Sequence, residues 1–212
     1  MTRLDIFSDP VCPWCYIGKT LLDRALEARP DHPLAVDWHP FQLNPDMPAG
    51  GMDRADYLRA KFGGAAQAVQ VYARIEQAAQ AAGLAIDFGA IRRMPNTLDA
   101  HRTILWAGVE GRQGAMVAAL FRGYWREGRD IGDPAVLADL AGQAGLPAAA
   151  FARLLATDAD RDTIRTCDAH ARDRGVTAVP TFVVADRYVL PGAQPPELWL
   201  RVIDELTGAG AA

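Results

Sequence analysis

Apolar and polar residues alternate from Arg3 to Ser8, with Leu4 and Ile6 on one side, and this spacing predicts a short strand. Asp9-Pro10 ends it. From Pro13 the period lengthens to that of a helix, placing Ile17, Leu21, Leu22 and Leu26 on one face, until Arg29-Pro30 stops it. Leu34 to Phe41, with Val36, Trp38 and Phe41, predicts a second strand. The chain therefore opens strand–helix–strand.

Gln42 to Gly51 carries Pro45, Pro48 and two glycines and reads as a loop. The helical period then dominates. It predicts helices at Arg54 to Phe62, Ala65 to Ala82, Thr97 to Val109, Gln113 to Glu127, Pro134 to Ala144, Pro147 to Leu155 and Asp160 to Arg174. Gly83, Gly111, Gly128, Gly145 and Gly175 stand where helix C-caps belong, and Asn96-Thr97-Leu98-Asp99 has the form of an N-terminal cap. A β pattern returns at the end. Thr181 to Val184, a turn at Asp186-Arg187 and Tyr188 to Leu190 read as a hairpin, and Pro195 to Leu206 as a last amphipathic helix. The element order is that of an α/β thioredoxin fold with a large all-helical insertion. On this reading, residues 1–60 and 175–212 form a discontinuous thioredoxin-like domain around an insertion at 61–174.

Composition narrows the function. Of the 212 residues, 50% are hydrophobic and 23% charged, which is enough apolar surface for a substantial core. A formal net charge of −4 without a dense basic run argues against nucleic acid as a partner. The first residues lack an apolar leader pattern and no apolar run reaches bilayer length, so the expected location is the cytoplasm, with no membrane partner. In that compartment a close cysteine pair points to redox chemistry or metal rather than to a structural disulfide framework.

The chain has three cysteines, Cys12, Cys15 and Cys167. Cys12-Pro13-Trp14-Cys15 lies where the first strand gives way to the first helix. Unpaired backbone N–H groups and the helix dipole favour negative charge there. Pro13 suits a first helical turn, because its missing N–H would have no partner in any case. Cys15 follows Cys12 by three positions, about one turn along the same face, close enough for a disulfide. The spacing thus supplies an exposed nucleophile, Cys12, and a buried resolving thiol, Cys15. Trp14 adds no charge, and reads equally as a flat substrate contact or as packing on the adjacent loop. The same spacing also serves zinc sites. The context favours redox use: a strand before, a helix after, and Val179-Pro180-Thr181 just ahead of the late hairpin. An X-Pro bond there suits a cis peptide, with the Val179 backbone free to pair with an extended substrate.

These residues, together with Pro40-Phe41-Gln42-Leu43-Asn44-Pro45, Asn96-Thr97-Leu98-Asp99-Ala100-His101-Arg102 and Gly192-Ala193-Gln194-Pro195-Pro196, resemble the DsbA family, in particular its cytoplasmic FrnE-like branch. The resemblance covers nearly the whole chain. It implies a thioredoxin fold with a helical insertion, a redox-active cysteine pair and a cis Pro180. Exported members of the wider family usually carry His between the cysteines, which this chain lacks. Kappa-class glutathione transferases and 2-hydroxychromene-2-carboxylate isomerases share the architecture but typically have Ser where this chain has Cys12.

The resemblance also suggests that Asn96, His101 and Gln194 face a substrate cleft, with Asn96 doubling as a helix cap and Arg102 holding the insertion. Asp5 and Asp9 flank the first strand. Either could take the Cys15 proton, Asp9 being the stronger candidate, although a solvated or capping role is the plainer one. Cys167 and His170 could join Cys12 and Cys15 as a zinc set, but Cys167 aligns with Ile164 and Ala171 and reads as a core residue, so no metal is expected. His39 reads as structural, and Trp106, Tyr124 and Trp125 as packing of the insertion or walls of an apolar cleft. The resulting expectation is a thiol–disulfide oxidoreductase or isomerase without a bound cofactor. It would act on a disulfide- or dithiol-bearing protein or small molecule, with glutathione as reductant or ligand and a homodimer by analogy. The alternatives are a glutathione-dependent transferase or isomerase, and a non-catalytic zinc or binding module.

Overall fold

A computed structural model describes residues 1–63 and 65–208. In chain order it runs β1 (Thr2–Ser8), α1 (Pro13–Ala28), β2 (Leu34–Pro40), β3 (Met52–Asp53), α2 (Arg54–Phe62), α3 (Ala65–Ala81) and β4 (Arg93–Met94). The helices α4 (Leu98–Val109), α5 (Gln113–Trp125), α6 (Pro134–Gln143), α7 (Ala148–Leu155) and α8 (Arg161–Asp173) follow. The chain closes with β5 (Thr181–Val184), β6 (Tyr188–Pro191) and α9 (Pro196–Thr207).

The main sheet has the order β2-β1-β5-β6, with β1 parallel to β2 and antiparallel to β5. The central place of β1 explains its composition. Leu4 and Ile6 are fully buried, and Ile6 sits in register with Phe182 of β5. Phe182 meets Trp199 of α9 edge to face at 4.9 Å, and α9 packs on α1. Each such buried side chain contributes about 1.5–3 kcal/mol of transfer free energy.

The insertion shares this core. Buried side chains run without a break from Leu4, Trp38 and Phe41 to Met116, Leu120 and Phe121 of α5. Helix α8 packs against both β2 and α4, so it touches the sheet as well as the helices. Two polar contacts hold the helices, one against the sheet and one among themselves. Trp38 N donates to Gln113 Oε1 at 2.9 Å while Gln113 Nε2 donates to the Trp38 carbonyl at 3.1 Å, so a side-chain amide closes the edge of β2 much as a neighbouring strand would. Arg102, fully buried, donates to the carbonyls of Leu154, Thr157 and Ala159 and to Asp99, with its guanidinium 4.7 Å from the Trp106 ring. It ties α4 to the last turn of α7 and to the segment that leads into α8.

Two local features differ from the sequence reading. The short β3–β4 ladder was not expected, because two residues carry no period to read. The late turn centres on Ala185-Asp186, not Asp186-Arg187: both residues have φ 54°, and Arg187 N donates to the Val184 carbonyl at 3.1 Å. This is the handedness that joins strands with a right-handed twist.

Helix α1 approaches the lead-in to β5 at Gly18. A Cβ there would lie 3.1 Å from Pro180 Cγ and 3.4 Å from Ala193 Cα. Gly18→Ala gains about 1 kcal/mol of helix propensity but overpacks a rigid ring and a backbone atom at a cost of about 1–3 kcal/mol. Its urea midpoint is expected to fall below that of the wild type. A rise would mean that the Pro180 segment yields freely.

Candidate active site

Strand β1 delivers the chain into the turn Asp9-Pro10-Val11, where Cys12 N donates to the Asp9 carbonyl at 2.9 Å. Cys12 then occupies the N-cap position of α1 with extended backbone, and Pro13 begins the first turn. Cys12 and Cys15 lie 3.3 Å apart and both are free thiols. The Cys12 thiol donates to the Val179 carbonyl at 3.4 Å, and the Val179–Pro180 peptide is cis. The fold thus brings the cysteine pair, Pro13, Trp14 and the Val179-Pro180 segment to one place.

Cys12 is not the exposed thiol expected from sequence. Only 3% of its surface is accessible, and α2 and α3 wall the space beside it. It opens instead onto a cavity of about 280 Å³ that is also lined by Trp14, Tyr57, Tyr72 and Trp125. Trp14 is 39% exposed at the rim. Cys15 is buried and stands outside the cavity lining. Burial and the neighbouring Cys12 sulfur push its thiol well up from the ordinary value, against smaller opposing effects of the Ser8 hydroxyl and the Asp9 backbone N–H. An accessible sulfur and a sequestered one is the asymmetry that attack followed by resolution needs.

A buried polar layer supports the turn. Asp9 is neither solvated nor a helix cap. It is fully buried and accepts hydrogen bonds from Val11 N at 3.3 Å and Leu43 N at 2.7 Å, with the Thr97 hydroxyl also on it. Loss of solvent nonetheless pushes its carboxyl up to about 7. His101 Nε2 lies 3.8 Å from Asp9 Oδ1 and has no hydrogen-bond partner. Burial pulls this imidazole down to about 4, with the Asp168 charge and the Phe41 carbonyl acting the other way. Asp168, also buried, accepts from Gln42 N at 2.7 Å and pairs with Arg172, which lies over the Phe41 ring.

The three residues expected in a substrate cleft are not brought to Cys12. His101 belongs to the buried layer. Asn96 accepts from Leu98 N at 2.9 Å and donates to the Met47 carbonyl at 2.6 Å; it stands one residue before the N-cap of α4, Thr97, and ties down the loop after β2. Gln194 donates to the Pro191 carbonyl at 2.6 Å, within its own turn. None of the three lines the cavity over Cys12.

Asp5 is occupied by the sheet surface: His39 Nε2 meets it at 2.5 Å and Arg3 Nη2 at 2.6 Å. With Asp37, these residues form a grouping of metal-ligand type among the described residues, but the Arg3 guanidinium already supplies the cation. Cys167 is exposed, contrary to expectation, because the buried stripe of α8 runs through Ile164, Asp168 and Ala171. His170 is exposed as well, so these two do not gather with Cys12 and Cys15.

Sequence reasoning missed the cavity wall contributed by α2. Arg54, Tyr57 and Lys61 recur at helical spacing and so share one face, a signal that could have been read. Nothing local said that this face turns toward Cys12. Tyr124 and Trp125 prove to be cavity walls, whereas Trp106 packs on Phe151 and donates to Asp160.

A family model described as the DSBA-like thioredoxin domain matches residues 3–204. The Bacillus subtilis protein YwbO is 28% identical over 204 residues, 96% of each chain. Among solved structures, the probable DsbA oxidoreductase SCO1869 of Streptomyces coelicolor is 32% identical with a TM-score of 0.84, covering 98% of this chain and 91% of that one. The cytosolic disulfide reductase DsbM of Pseudomonas aeruginosa has the same fold at 22% identity and a TM-score of 0.70, covering 98% and 100%. It has also been crystallised with GSH.

Asp9 and His101 make opposite demands on pH. The raised Asp9 carboxyl favours the folded state below about pH 4, an advantage lost as pH rises through about 7. The lowered His101 favours it above about pH 6.5, an advantage lost as pH falls through about 4. In the wild type the two slopes offset one another. His101→Gln is expected to lose stability between about pH 4 and 7, and Asp9→Asn to gain it between about pH 4 and 6.5, each by about 1.4 kcal/mol per unit. Urea midpoints across this range test the pair, and slopes of the same sign in both variants would refute the assignment.

Proposed function

Because the chain belongs to the DSBA-like thioredoxin domain family, we propose that it is a thiol–disulfide oxidoreductase working through Cys12 and Cys15. The carrying observation is the pair itself: two free thiols 3.3 Å apart, one opening onto a cavity at a helix start and the other sealed beneath it. The Cys12 thiolate attacks one sulfur of a substrate disulfide, forming a mixed disulfide and releasing the other sulfur as a thiolate. Cys15 then gives up its proton and attacks the Cys12 sulfur. An enzyme disulfide forms, and the second substrate sulfur leaves reduced. Two electrons have passed from the dithiol to the substrate. The reverse sequence oxidises a dithiol, and the reduction potential of the pair sets the direction.

Burial makes the Cys15 thiolate costly, so resolution benefits from a nearby proton acceptor. Asp9 is the fitting group, with a backbone N–H that meets Cys15 and a carboxyl that titrates near neutrality. Val179, whose carbonyl already meets Cys12, offers main-chain contacts to a bound substrate. Glutathione is a suitable reductant for the enzyme disulfide, and the cytoplasm a suitable setting. The similar DsbM, a cytosolic disulfide reductase crystallised with GSH, supports both assignments.

Cys15→Ser decides the reading. Disulfide turnover is expected to collapse to the uncatalysed rate, while a mixed disulfide accumulates on Cys12 and shows as added mass on the intact protein. Glutathione-dependent transferase or isomerase turnover that survives the loss of Cys15, in a protein whose wild type does not turn over disulfides, would overturn the disulfide-exchange assignment.

A further inference from the structure

The cavity over Cys12 has a chemical character that disulfide exchange alone does not require. Its walls are mostly apolar and aromatic, with Trp14, Tyr57, Phe62, Tyr72 and Trp125 among them. Among the described residues its only charged lining residues are Arg54 and Lys61, both from α2, and no Asp or Glu lines it. Arg54, half-buried, and Lys61, exposed at the rim, thus border one small apolar space in a chain whose net charge is −4.

Neither cation has a carboxylate partner among the described residues. Arg54 is committed to the protein: Nη1 donates to the Phe88 carbonyl at 2.6 Å, and the guanidinium lies 5.0 Å from the Tyr72 ring. Lys61 is held but not neutralised. Its ammonium donates to the Tyr57 hydroxyl at 2.6 Å, and that hydroxyl donates in turn to Asn44 Oδ1 at 3.2 Å. An ammonium has three donors, so two remain for a ligand. The relay through Tyr57 and Asn44 aims the charge without cancelling it.

We propose that this cavity is a subsite for a small disulfide carrying an aromatic or similarly flat apolar body and an anionic group. The body lies between the aromatic walls, the anion meets Lys61, and the disulfide sulfur is presented to Cys12. The volume of about 280 Å³ suits one such group. This assignment rests on the oxidoreductase reading and specifies its substrate class. The chemistry is the exchange already written: Cys12 bonds to one substrate sulfur, the other leaves as a thiolate, and Cys15 releases the second. The enzyme dithiol is the reductant.

Two aromatic disulfides that release coloured thiols make the test, the dianionic dithiobis(nitrobenzoate) and the uncharged dithiodipyridine. Every protein carries Cys167→Ser, since that exposed thiol would otherwise react with both. The readout is the preference for anionic over neutral disulfide, which removes differences in leaving group. Lys61→Gln is expected to cut this preference about tenfold, the worth of one charge-assisted hydrogen bond. Lys61→Glu is expected to cut it further, and added salt to weaken it in the wild type. A preference unchanged in both variants overturns the subsite and leaves the oxidoreductase reading standing. Failure of the wild-type pair to exchange with either disulfide overturns both.

Discussion

The site depends on how a four-residue turn, Asp9 to Cys12, is held at the end of β1. A turn at a sheet end is normally free to rearrange. Here the Asp9 carboxyl is sealed from solvent and must find donors, because an unmet buried polar group costs free energy comparable to a lost hydrogen bond. It takes Val11 N from its own turn and Leu43 N from the loop after β2. One side chain therefore locks the start of α1 to the far end of the neighbouring strand, and with it the position of Cys12. His101 and Asp168 surround that carboxyl with further groups that water does not reach. The layer is rigid for the same reason that it is electrostatically poised.

The insertion completes what the turn begins. Without α2 and α3, the space beside Cys12 would stand open. With them it looks into a walled space whose lining comes from α1, α2, α3, α5 and the segment before Pro180. Gln113 keeps α5 registered on the sheet, and Arg102 ties α4 to the end of α7 and the segment after it, each by meeting backbone groups. Cavity shape is thus controlled from residues that never touch it.

The fold was legible in the sequence because its signals are local. Alternation marked β1, the 3.6 period marked α1 and the insertion helices, and Pro13 and the capping glycines marked their ends. The cysteine pair was legible for the same reason, since three residues at a strand-to-helix junction fix their own geometry. What failed was long-range. The environment of Asp9 depends on Leu43, Thr97 and His101, none of them near it in sequence. Cys167 looked apolar by spacing, yet the chain used Asp168 one residue later as the inward position, because Gln42 N offered it a partner. The wall beside Cys12 followed from where the insertion docks, which no pattern along α1 encodes.

The pairing of Gln113 with Trp38 also bears on how the molecule avoids its neighbours. A sheet edge invites another chain to add a strand, the first step toward aggregation. On the β2 side, the main-chain donor and acceptor of Trp38 are already taken by a side chain. On the other side, β6 has only four residues and ends in Pro191, which has no N–H to offer. A template needs a run of unpaired groups, and neither flank presents a long one. Crowded encounters with unfolded chains should therefore end in separation rather than growth.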